Sequence, residues 1–194
     1  MTTQPTPAEL EAAVARHGAR FDAEVAAATR EIYRGALDLT PAPIEQADLA
    51  YGLHARHRVD LYAPAAPRGV VVFVHGGGFV AGDKNGDGAF YVNVGRWLAR
   101  QGLAALLPNY RLAPSDPWPA GAADVGAVVS QADALLARAG LPPRPVFVLG
   151  QSAGASHVAS WCFDAAARGT ATRPPVAGVL LMSGFYAPRA PLPP

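Results

Sequence analysis

One serine in this chain of 194 residues has a sequence context suited to nucleophilic catalysis. Ser152 is the centre of a G-x-S-x-G motif formed with Gly150 and Gly154, inside the stretch RPVFVLGQSAGASHVASW. In such a motif the serine occupies a sharp turn from strand to helix, which pushes its Oγ out above the edge of a sheet. The flanking glycines leave room where the strand and the helix crowd together. Ser152 is therefore the candidate catalytic nucleophile.

A second glycine-rich motif lies upstream and has the chemistry to bind the oxyanion that such a nucleophile creates. Gly76, Gly77 and Gly78 follow directly on the apolar run VVVFVH, which ends at His75. Successive glycines let backbone N–H groups turn toward a developing oxyanion, which side chains would block. The residue after the nucleophile, Ala153, is expected to add a further N–H group. The two motifs together favour acyl transfer over a merely flexible glycine turn.

These motifs lie in a chain whose pattern alternates between strands and helices. Continuous apolar runs predict strands buried on both faces, and amphipathic stretches closed by glycine predict helices. The predicted strands are 59–62, 70–75, 103–108, 145–149 and 176–182, and the predicted helices are 90–100, 119–139 and 152–168. Alternation with short joints predicts right-handed βαβ units, and hence an α/β fold with a mostly parallel sheet and helices on both faces.

The N-terminal part of the chain has a different pattern. Residues 7–34 are predicted to form two helices divided by Gly18, because apolar residues recur there at spacings of three to four. The apolar stripe is narrow, so these helices must pack against something else. A link punctuated by proline follows at residues 40–43. We therefore expect residues 1–40 and 41–194 to be separate parts of the protein.

Composition argues against several other classes of function. The net charge is +1 and only 16% of the residues are charged, so the charge balance indicates neither a nucleic-acid partner nor a membrane surface. No apolar stretch approaches the length of a membrane span, and the N-terminus lacks the basic and apolar regions of a secretory signal. The single cysteine, Cys162, rules out an intramolecular disulfide. A cytoplasmic protein is the expectation.

Three motifs together resemble the α/β-hydrolase fold. HGGGF at residues 75–79, NYRLAP at 109–114 and GQSAG at 150–154 are similar to segments of HGGG-bearing carboxylesterases, namely the hormone-sensitive-lipase-like and arylformamidase-like enzymes. The resemblance extends from about Ala50 to Gly184. It implies a serine carboxylesterase that acts on small or aryl esters through an acyl-enzyme, without a metal or cofactor.

The resemblance also implies roles for single residues around the nucleophile. By position, the N–H groups of Gly77, Gly78 and Ala153 bind the oxyanion of the acyl intermediate. Gly76 shapes the loop, and His75 orients it and is not the catalytic base.

Several further residues are expected to surround the chemistry without performing it. Arg111 and Asp124 resemble structural positions of the family, and the helices of residues 1–40 resemble the cap over its active site. Phe79 and Phe185 are candidates for lining the acyl site, although core packing is an equally good interpretation of each.

A catalytic base for Ser152 is harder to find. In this fold the acid and then the histidine follow the nucleophile, and the residues of these types downstream are Asp164 and His157. His157 lies five residues into the predicted helix, about 7.5 Å along its axis and about 140° around it from Ser152. That offset is incompatible with a hydrogen bond to the serine Oγ. We therefore interpret His157 as a packing or hydrogen-bonded helix residue.

The histidines upstream do not solve this problem. His17, His54, His57 and His75 would each need a topology foreign to the fold. The family places its acid and histidine in loops after two further strands. We therefore expect the last strands and the catalytic acid and histidine to be missing from these residues, whether through a fragment, a stopped frame or a split protein. A complementing C-terminal segment is then the expected partner, and this chain alone is expected to be weak or inactive.

Two other functions remain open at this point. One is a non-catalytic α/β-hydrolase remnant or binding module that kept the fold and lost the chemistry. The other is a serine amidase or peptidase, such as an arylformamidase, which the G-x-S-x-G motif also permits.

One turn imitates a calcium-binding loop. Residues 83–88, DKNGDG, place oxygen-bearing side chains at the first, third and fifth positions and glycine at the sixth. The twelfth position, which requires glutamate, is Val94. We interpret the stretch as a polar turn and expect no metal site.

Overall fold

The structure is a computed structural model that describes residues 4–20, 22–86, 88–168 and 174–186. It divides into two compact units, Met1–Leu39 and Thr40–Pro194. The division falls beside the proline-punctuated link that the sequence indicates. The role of the first unit as a cap stays a prediction.

The first unit contains two helices, α1 (Pro7–Ala15) and α2 (Ala23–Arg34). A capping box starts α1, because Thr6 Oγ1 accepts a hydrogen bond from the N–H of Glu9 at 3.3 Å while the Glu9 carboxylate accepts one from the N–H of Thr6 at 2.7 Å. Gly18 lies between the helices with φ +65°, a left-handed conformation that glycine adopts without strain. The predicted division at Gly18 is confirmed.

The second unit contains a sheet with helices on both of its faces. Its elements in chain order are β1 (Ile44–Ala50), β2 (Arg58–Ala63), β3 (Val70–Val74), α3 (Phe90–Arg100), β4 (Ala104–Pro108), α4 (Ala120–Ser130), α5 (Ala132–Arg138), β5 (Val146–Gln151), α6 (Ala153–Phe163), α7 (Ala165–Arg168) and β6 (Gly178–Met182). Within the described residues six strands form one sheet in the order β1-β2-β4-β3-β5-β6.

The sheet is mostly parallel, as predicted. β3 pairs in parallel with β4 and with β5, and β5 pairs in parallel with β6. β1 and β2 are antiparallel to each other, and β2 is antiparallel to β4. The carboxyl ends of β3 and β5 therefore meet at one edge of the sheet, where both glycine motifs begin.

Alternate residues of β3 face two separate core layers. Val72 and Val74 belong to the cluster that includes residues of α4 and α6, whereas Val71 and Phe73 pack with Leu98 of α3. A strand that is covered on both faces carries apolar residues at every position, which explains the continuous run VVVFV. The prediction of helices on both faces is confirmed.

Three elements differ from the prediction. β1 was not predicted, because IEQADLA alternates with polar residues and only one face of the strand is partly buried. The predicted helix 119–139 is interrupted at Gln131, where α4 ends and α5 begins. The predicted helix 152–168 is interrupted at Asp164, whose backbone is extended and whose Oδ1 accepts a hydrogen bond from the N–H of Ala166 at 2.9 Å. That side chain starts a new helix and thereby ends α6.

β6 lies at the edge of the sheet beside β5. Among the residues that the structure describes, no strand pairs with its other side. Leu180 and Met182 of this strand are about half exposed. The continuation of the sheet by further strands stays a prediction.

Candidate active site

The serine of the G-x-S-x-G motif lies on a strained turn between β5 and α6. Ser152 has φ +54° and ψ −124°, a conformation that costs a residue with a side chain about 1–3 kcal/mol. Three hydrogen bonds hold it: its N–H donates to the carbonyl of Met182 at 2.8 Å, and its own carbonyl accepts from the N–H groups of Ala155 at 2.9 Å and Ser156 at 3.2 Å. The end of β6 and the first turn of α6 therefore impose the strain that the motif predicts.

The two glycines of the motif fit where a side chain would not. A Cβ on Gly150 would lie 2.6 Å from the Cα of Ala155. A Cβ on Gly154 would overlap the carbonyl oxygens of Val74 and His75 at the end of β3. The crowding that the sequence predicts between strand and helix is therefore present, and it involves the neighbouring strand as well.

The upstream glycine loop lies directly against this turn. A Cβ on Gly76 would be 3.1 Å from the Cβ of Ser152. Gly77 and Gly78 have φ +143° and +59°, which favour glycine. Within the described part of the chain, the N–H groups of Gly77, Gly78 and Ala153 donate to no backbone or side-chain acceptor. They are thus available to a ligand, and their oxyanion role stays a prediction.

His75 is buried at the start of this loop and holds it. Its Nδ1 donates to the carbonyl of Gly76 at 2.7 Å, and its carbonyl accepts a hydrogen bond from the Tyr110 hydroxyl at 2.9 Å. The imidazole stacks on the ring of Tyr110 with centroids 4.4 Å apart. Burial lowers the pKa of His75, so that the ring is neutral at pH 7. These contacts suit a histidine that orients the loop.

The two aromatic candidates for the acyl site lie beside successive residues of α6. Phe79 has φ +71°, and its ring meets that of His157 edge-on at 5.3 Å. Phe185 donates its N–H to the Oγ of Ser156 at 2.8 Å, and its side chain is exposed. Phe185 also lines a groove of about 540 Å³ between α6 and β6. Phe79 packs partly into the protein and Phe185 does not, and a substrate contact for either stays a prediction.

His157 is a packing residue, as its helix position indicates. Its ring lies against Tyr110 at 4.8 Å, and a Cβ on Gly121 would come within 2.5 Å of it. Neither ring nitrogen has a hydrogen-bond partner among the described residues. Burial is the main cause that lowers the pKa of His157 to about 4, and the charge of Asp124 only partly opposes it.

The other ionisable groups weighed as a base or acid are engaged elsewhere. His57 Nε2 lies 3.0 Å from Asp124 Oδ1, and His54 Nδ1 accepts a hydrogen bond from the N–H of Arg56 at 3.1 Å. Asp164 begins α7. Within residues 40–86, 88–168 and 174–186, the Oγ of Ser152 forms no hydrogen bond with a side chain. The described residues thus place neither a base nor an acid at the serine.

Asp124 is the centre of a buried polar network. Its Oδ1 accepts a hydrogen bond from Arg111 Nη2 at 2.7 Å, and its Oδ2 accepts one from the N–H of Arg111 at 2.8 Å. Together with His57, these bonds fasten the NYRLAP segment to α4. The contacts fit the structural role that the resemblance implies for Arg111 and Asp124.

The calcium-like turn forms part of the protein framework. Asp83 Oδ1 accepts a hydrogen bond from the N–H of Asn85 at 3.0 Å, and its Oδ2 accepts one from Asn109 Nδ2 at 2.8 Å. Among the described residues, no group of three or more His, Cys, Asp or Glu side chains is arranged to hold a metal ion. The carboxylate of Asp83 therefore binds the end of β4.

Sequence reasoning missed an ion cluster beside this turn. Lys84 Nζ lies 2.9 Å from Asp60 Oδ1 and 3.0 Å from Asp48 Oδ1, and Lys84 and Asp60 are buried. Burial by itself lowers the pKa of the Lys84 ammonium, but the hydrogen bonds and charges of the two carboxylates outweigh it and the pKa is raised. The available signal was Asp60, a lone charge inside the apolar run VDLYA.

A serine on a strained turn after a parallel strand, faced by a glycine loop from the next strand, defines the α/β-hydrolase class. The chain belongs to this family, since the sequence model of the alpha/beta hydrolase fold family matches residues 71–192. The motifs of this chain resemble those of hormone-sensitive-lipase-like carboxylesterases. The family match and the esterases among the similar structures agree with that resemblance.

The chain is similar to curated and solved proteins over part of their length. It is 34% identical to the rice (Oryza sativa subsp. japonica) probable isoprenylcysteine alpha-carbonyl methylesterase over 113 residues. These aligned residues cover 57% of this chain and 26% of that protein. A bacterial heroin esterase structure is 31% identical with a TM-score of 0.54, covering 81% of this chain and 50% of that one. The structure of a thioesterase candidate from Silicibacter sp. TM1040 is 26% identical with a TM-score of 0.62, and the match covers 88% of this chain and 62% of that one. The chain thus spans about a quarter of the length of the curated relatives it matches.

No helix among the described residues has the length and apolar character needed to cross a membrane.

Proposed function

We propose that this chain carries the nucleophile and the oxyanion-binding loop of a serine carboxylic-ester hydrolase. The observation that carries the proposal is the position of Ser152. It is strained at the start of α6, and Gly76 of the glycine loop lies directly against it. Strain of this kind persists only where the surrounding structure enforces it, and it is concentrated at functional sites.

The proposed reaction follows from the groups that meet at this edge of the sheet. Ser152 Oγ attacks the acyl carbon of the ester and loses its proton, and the carbonyl oxygen becomes an oxyanion. The N–H groups of Gly77, Gly78 and Ala153 stabilise that charge, since they have no acceptor within the described residues. The alcohol leaves with a proton as the carbonyl reforms, and water then attacks the acyl-enzyme and releases the acid.

The proton acceptor is the part of the reaction that we assign to residues outside this sequence. His54, His57, His75 and His157 are committed to other contacts, and none bonds to Ser152 in the described residues. Losing the base of a serine hydrolase costs on the order of a million-fold in turnover, while the oxyanion hole and binding leave roughly 10³–10⁴ over water. We therefore propose that a complementing segment supplies the base and its carboxylate, and that this chain alone is a weak esterase.

The substrate class follows from the neighbours and stays part of the proposal. The similar proteins are named as esterases, one of them a methylesterase and another a heroin esterase. We accordingly propose small or aryl esters as substrates in the cytoplasm, without a metal or cofactor. The chemistry of Ser152 equally permits a formamide or amide, as in an arylformamidase, and only the rate ratio between an ester and its amide analogue separates these activities.

A fluorophosphonate probe tests the proposal directly. We expect slow covalent labelling of the wild-type chain at Ser152, none in Ser152→Ala, and wild-type labelling in the matched control Ser130→Ala, whose hydroxyl bonds to the carbonyl of Gly126 in α4. Hydrolysis of p-nitrophenyl acetate does not replace the labelling, because the oxyanion hole that Ser152→Ala keeps can accelerate hydrolysis without the nucleophile. Absence of labelling in the folded wild-type chain would instead support the non-catalytic remnant or binding module, which keeps the fold without the reaction.

A further inference from the structure

We propose that Lys84 is a positioning residue for the glycine loop of residues 76–82. The inference rests on the function proposed above, because the loop position matters to catalysis only if its N–H groups bind an oxyanion. Lys84 itself touches no reacting atom in this arrangement. It acts through the end of the loop, which it fastens to two strands of the sheet.

The glycine loop is held at both of its ends. At the start, the carbonyl of His75 accepts a hydrogen bond from the Tyr110 hydroxyl at 2.9 Å. At the end, the carbonyl of Gly82 accepts one from Arg56 Nη2 at 2.9 Å, and Lys84 follows two residues later. The positions of the N–H groups in the middle depend on where these two ends are anchored.

Lys84 anchors the end of the loop with both its backbone and its side chain. Its N–H donates to Asn109 Oδ1 at 2.7 Å, and its ammonium donates to Asp60 Oδ2 at 3.0 Å. Asp60 belongs to β2, Asn109 follows β4, and β4 lies between β2 and β3. Asp83 adds a bond from Asn109 Nδ2 to its Oδ2 at 2.8 Å. The chain that leaves β3 is therefore fastened across β4 to β2.

The burial of this ion pair makes its geometry strict. Lys84 is 4% exposed and Asp60 is 3% exposed, whereas the Asp48 carboxylate beside them faces solvent. A buried ion pair is weak evidence for stability, because apolar residues of similar volume often replace both charges without loss. What an apolar pair lacks is direction, since only hydrogen bonds fix an ammonium at one point of a neighbouring strand. Positioning therefore accounts for charges at this place better than stability does.

Lys84→Met tests the inference, with Arg96→Met as the matched control. Arg96 pairs with Glu45 at 2.8 Å and joins α3 to β1, so the control also removes an ion pair on the sheet. The first readout is hydrogen exchange of the amides of residues 77–82 against those of β5. The second is the rate of phosphonylation of Ser152, divided into the inactivation rate constant and the apparent affinity for the probe.

We expect Lys84→Met to speed exchange in the loop by about tenfold or more and to leave β5 protected. It should lower the inactivation rate constant by about ten- to a hundredfold with the affinity for the probe little changed, because misplacement of a catalytic donor reduces the rate by such factors. Arg96→Met should change neither quantity, and Lys84→Arg, which keeps the cation, should recover most of the loss. If Lys84→Met does not fold, Lys84→Met/Asp60→Asn removes both charges and should show the same local effect.

The outcomes separate the two proposals. Loop exchange and an inactivation rate constant at wild-type values in Lys84→Met would overturn the role of Lys84. So would an equal rise of exchange in the loop and in β5, since that describes a general loss of stability. Absence of labelling in the wild-type chain would overturn the proposed function, while loop exchange would still decide whether Lys84 positions the loop.

Discussion

Gly154 in the first turn of α6 lies against Val74 at the end of β3 so closely that a Cβ on the glycine would overlap the Val74 carbonyl oxygen. This contact joins the turn that carries Ser152 to the strand that leads into the glycine loop. The two glycine motifs therefore share one packed contact, and the distance between them depends on the absence of a single methyl group.

We expect Gly154→Ala to destabilise the protein by about 3 kcal/mol, because overpacking against backbone atoms forces the helix and the strand apart. The measurement is urea unfolding followed by circular dichroism. Gly140→Ala is the control: Gly140 has φ +70° with no atom near its would-be Cβ, so that substitution should cost only about 1 kcal/mol of backbone strain. A smaller loss at Gly154 than at Gly140 would contradict the contact.

The buried ring of His157 predicts a dependence of stability on pH. Its pKa is lowered to about 4 in the folded protein, from about 6.5 in an unfolded chain. The unfolded chain therefore binds the proton more tightly, and the stabilising contribution is complete above pH 6.5 and declines as the pH falls toward 4. Between pH 7.5 and pH 5 this group should account for a loss of about 2 kcal/mol in the free energy of unfolding.

His157→Leu should remove that contribution and flatten the pH dependence by about the same amount. Urea unfolding of both proteins at several pH values between 7.5 and 5 measures the difference. Because the other titrating groups are common to both proteins, their effects cancel in the comparison. Parallel curves for the two proteins would show that His157 does not titrate as a buried group.

Two neighbouring glycines of the loop should respond differently to the same substitution. A Cβ on Gly77 would overlap the carbonyl oxygen of Ala81, whereas one on Gly78 would meet no atom within 4 Å. Gly77→Ala must displace the loop, and we expect it to slow labelling of Ser152 by about a hundredfold, the effect of losing one oxyanion donor. Gly78→Ala keeps its N–H group and should slow labelling by no more than about five- to thirtyfold, the equivalent of roughly 1–2 kcal/mol of left-handed strain.

The comparison uses the fluorophosphonate reaction, with thermal unfolding as a check that both variants are folded. Since each variant replaces glycine with alanine in the same loop, they serve as controls for each other. A greater loss at Gly78 than at Gly77 would place the important crowding elsewhere in the loop.

Several elements could be predicted because their signals are local. The run VVVFV gives β3, the periodic stretch from Phe90 to Arg100 gives α3, and Gly18 divides the two N-terminal helices. The breaks at Gln131 and Asp164 were missed, since both lie within stretches of helical composition. A single side chain that bonds to the next turn, as Asp164 does, is enough to start a new helix and carries no periodic signal.

The sequence by itself determined which chemistry we propose, because G-x-S-x-G and HGGG are short motifs whose interpretation depends on neighbouring residues alone. It also placed His157 away from Ser152, since the geometry of a helix sets that offset. Only the tertiary structure decided which distant residues meet. The strand order puts Gly76 against Ser152 and brings Asp60 of β2 to Lys84 after β3. Such contacts join residues from separate strands, and the hydrophobic pattern that selects each strand does not state which strands become neighbours.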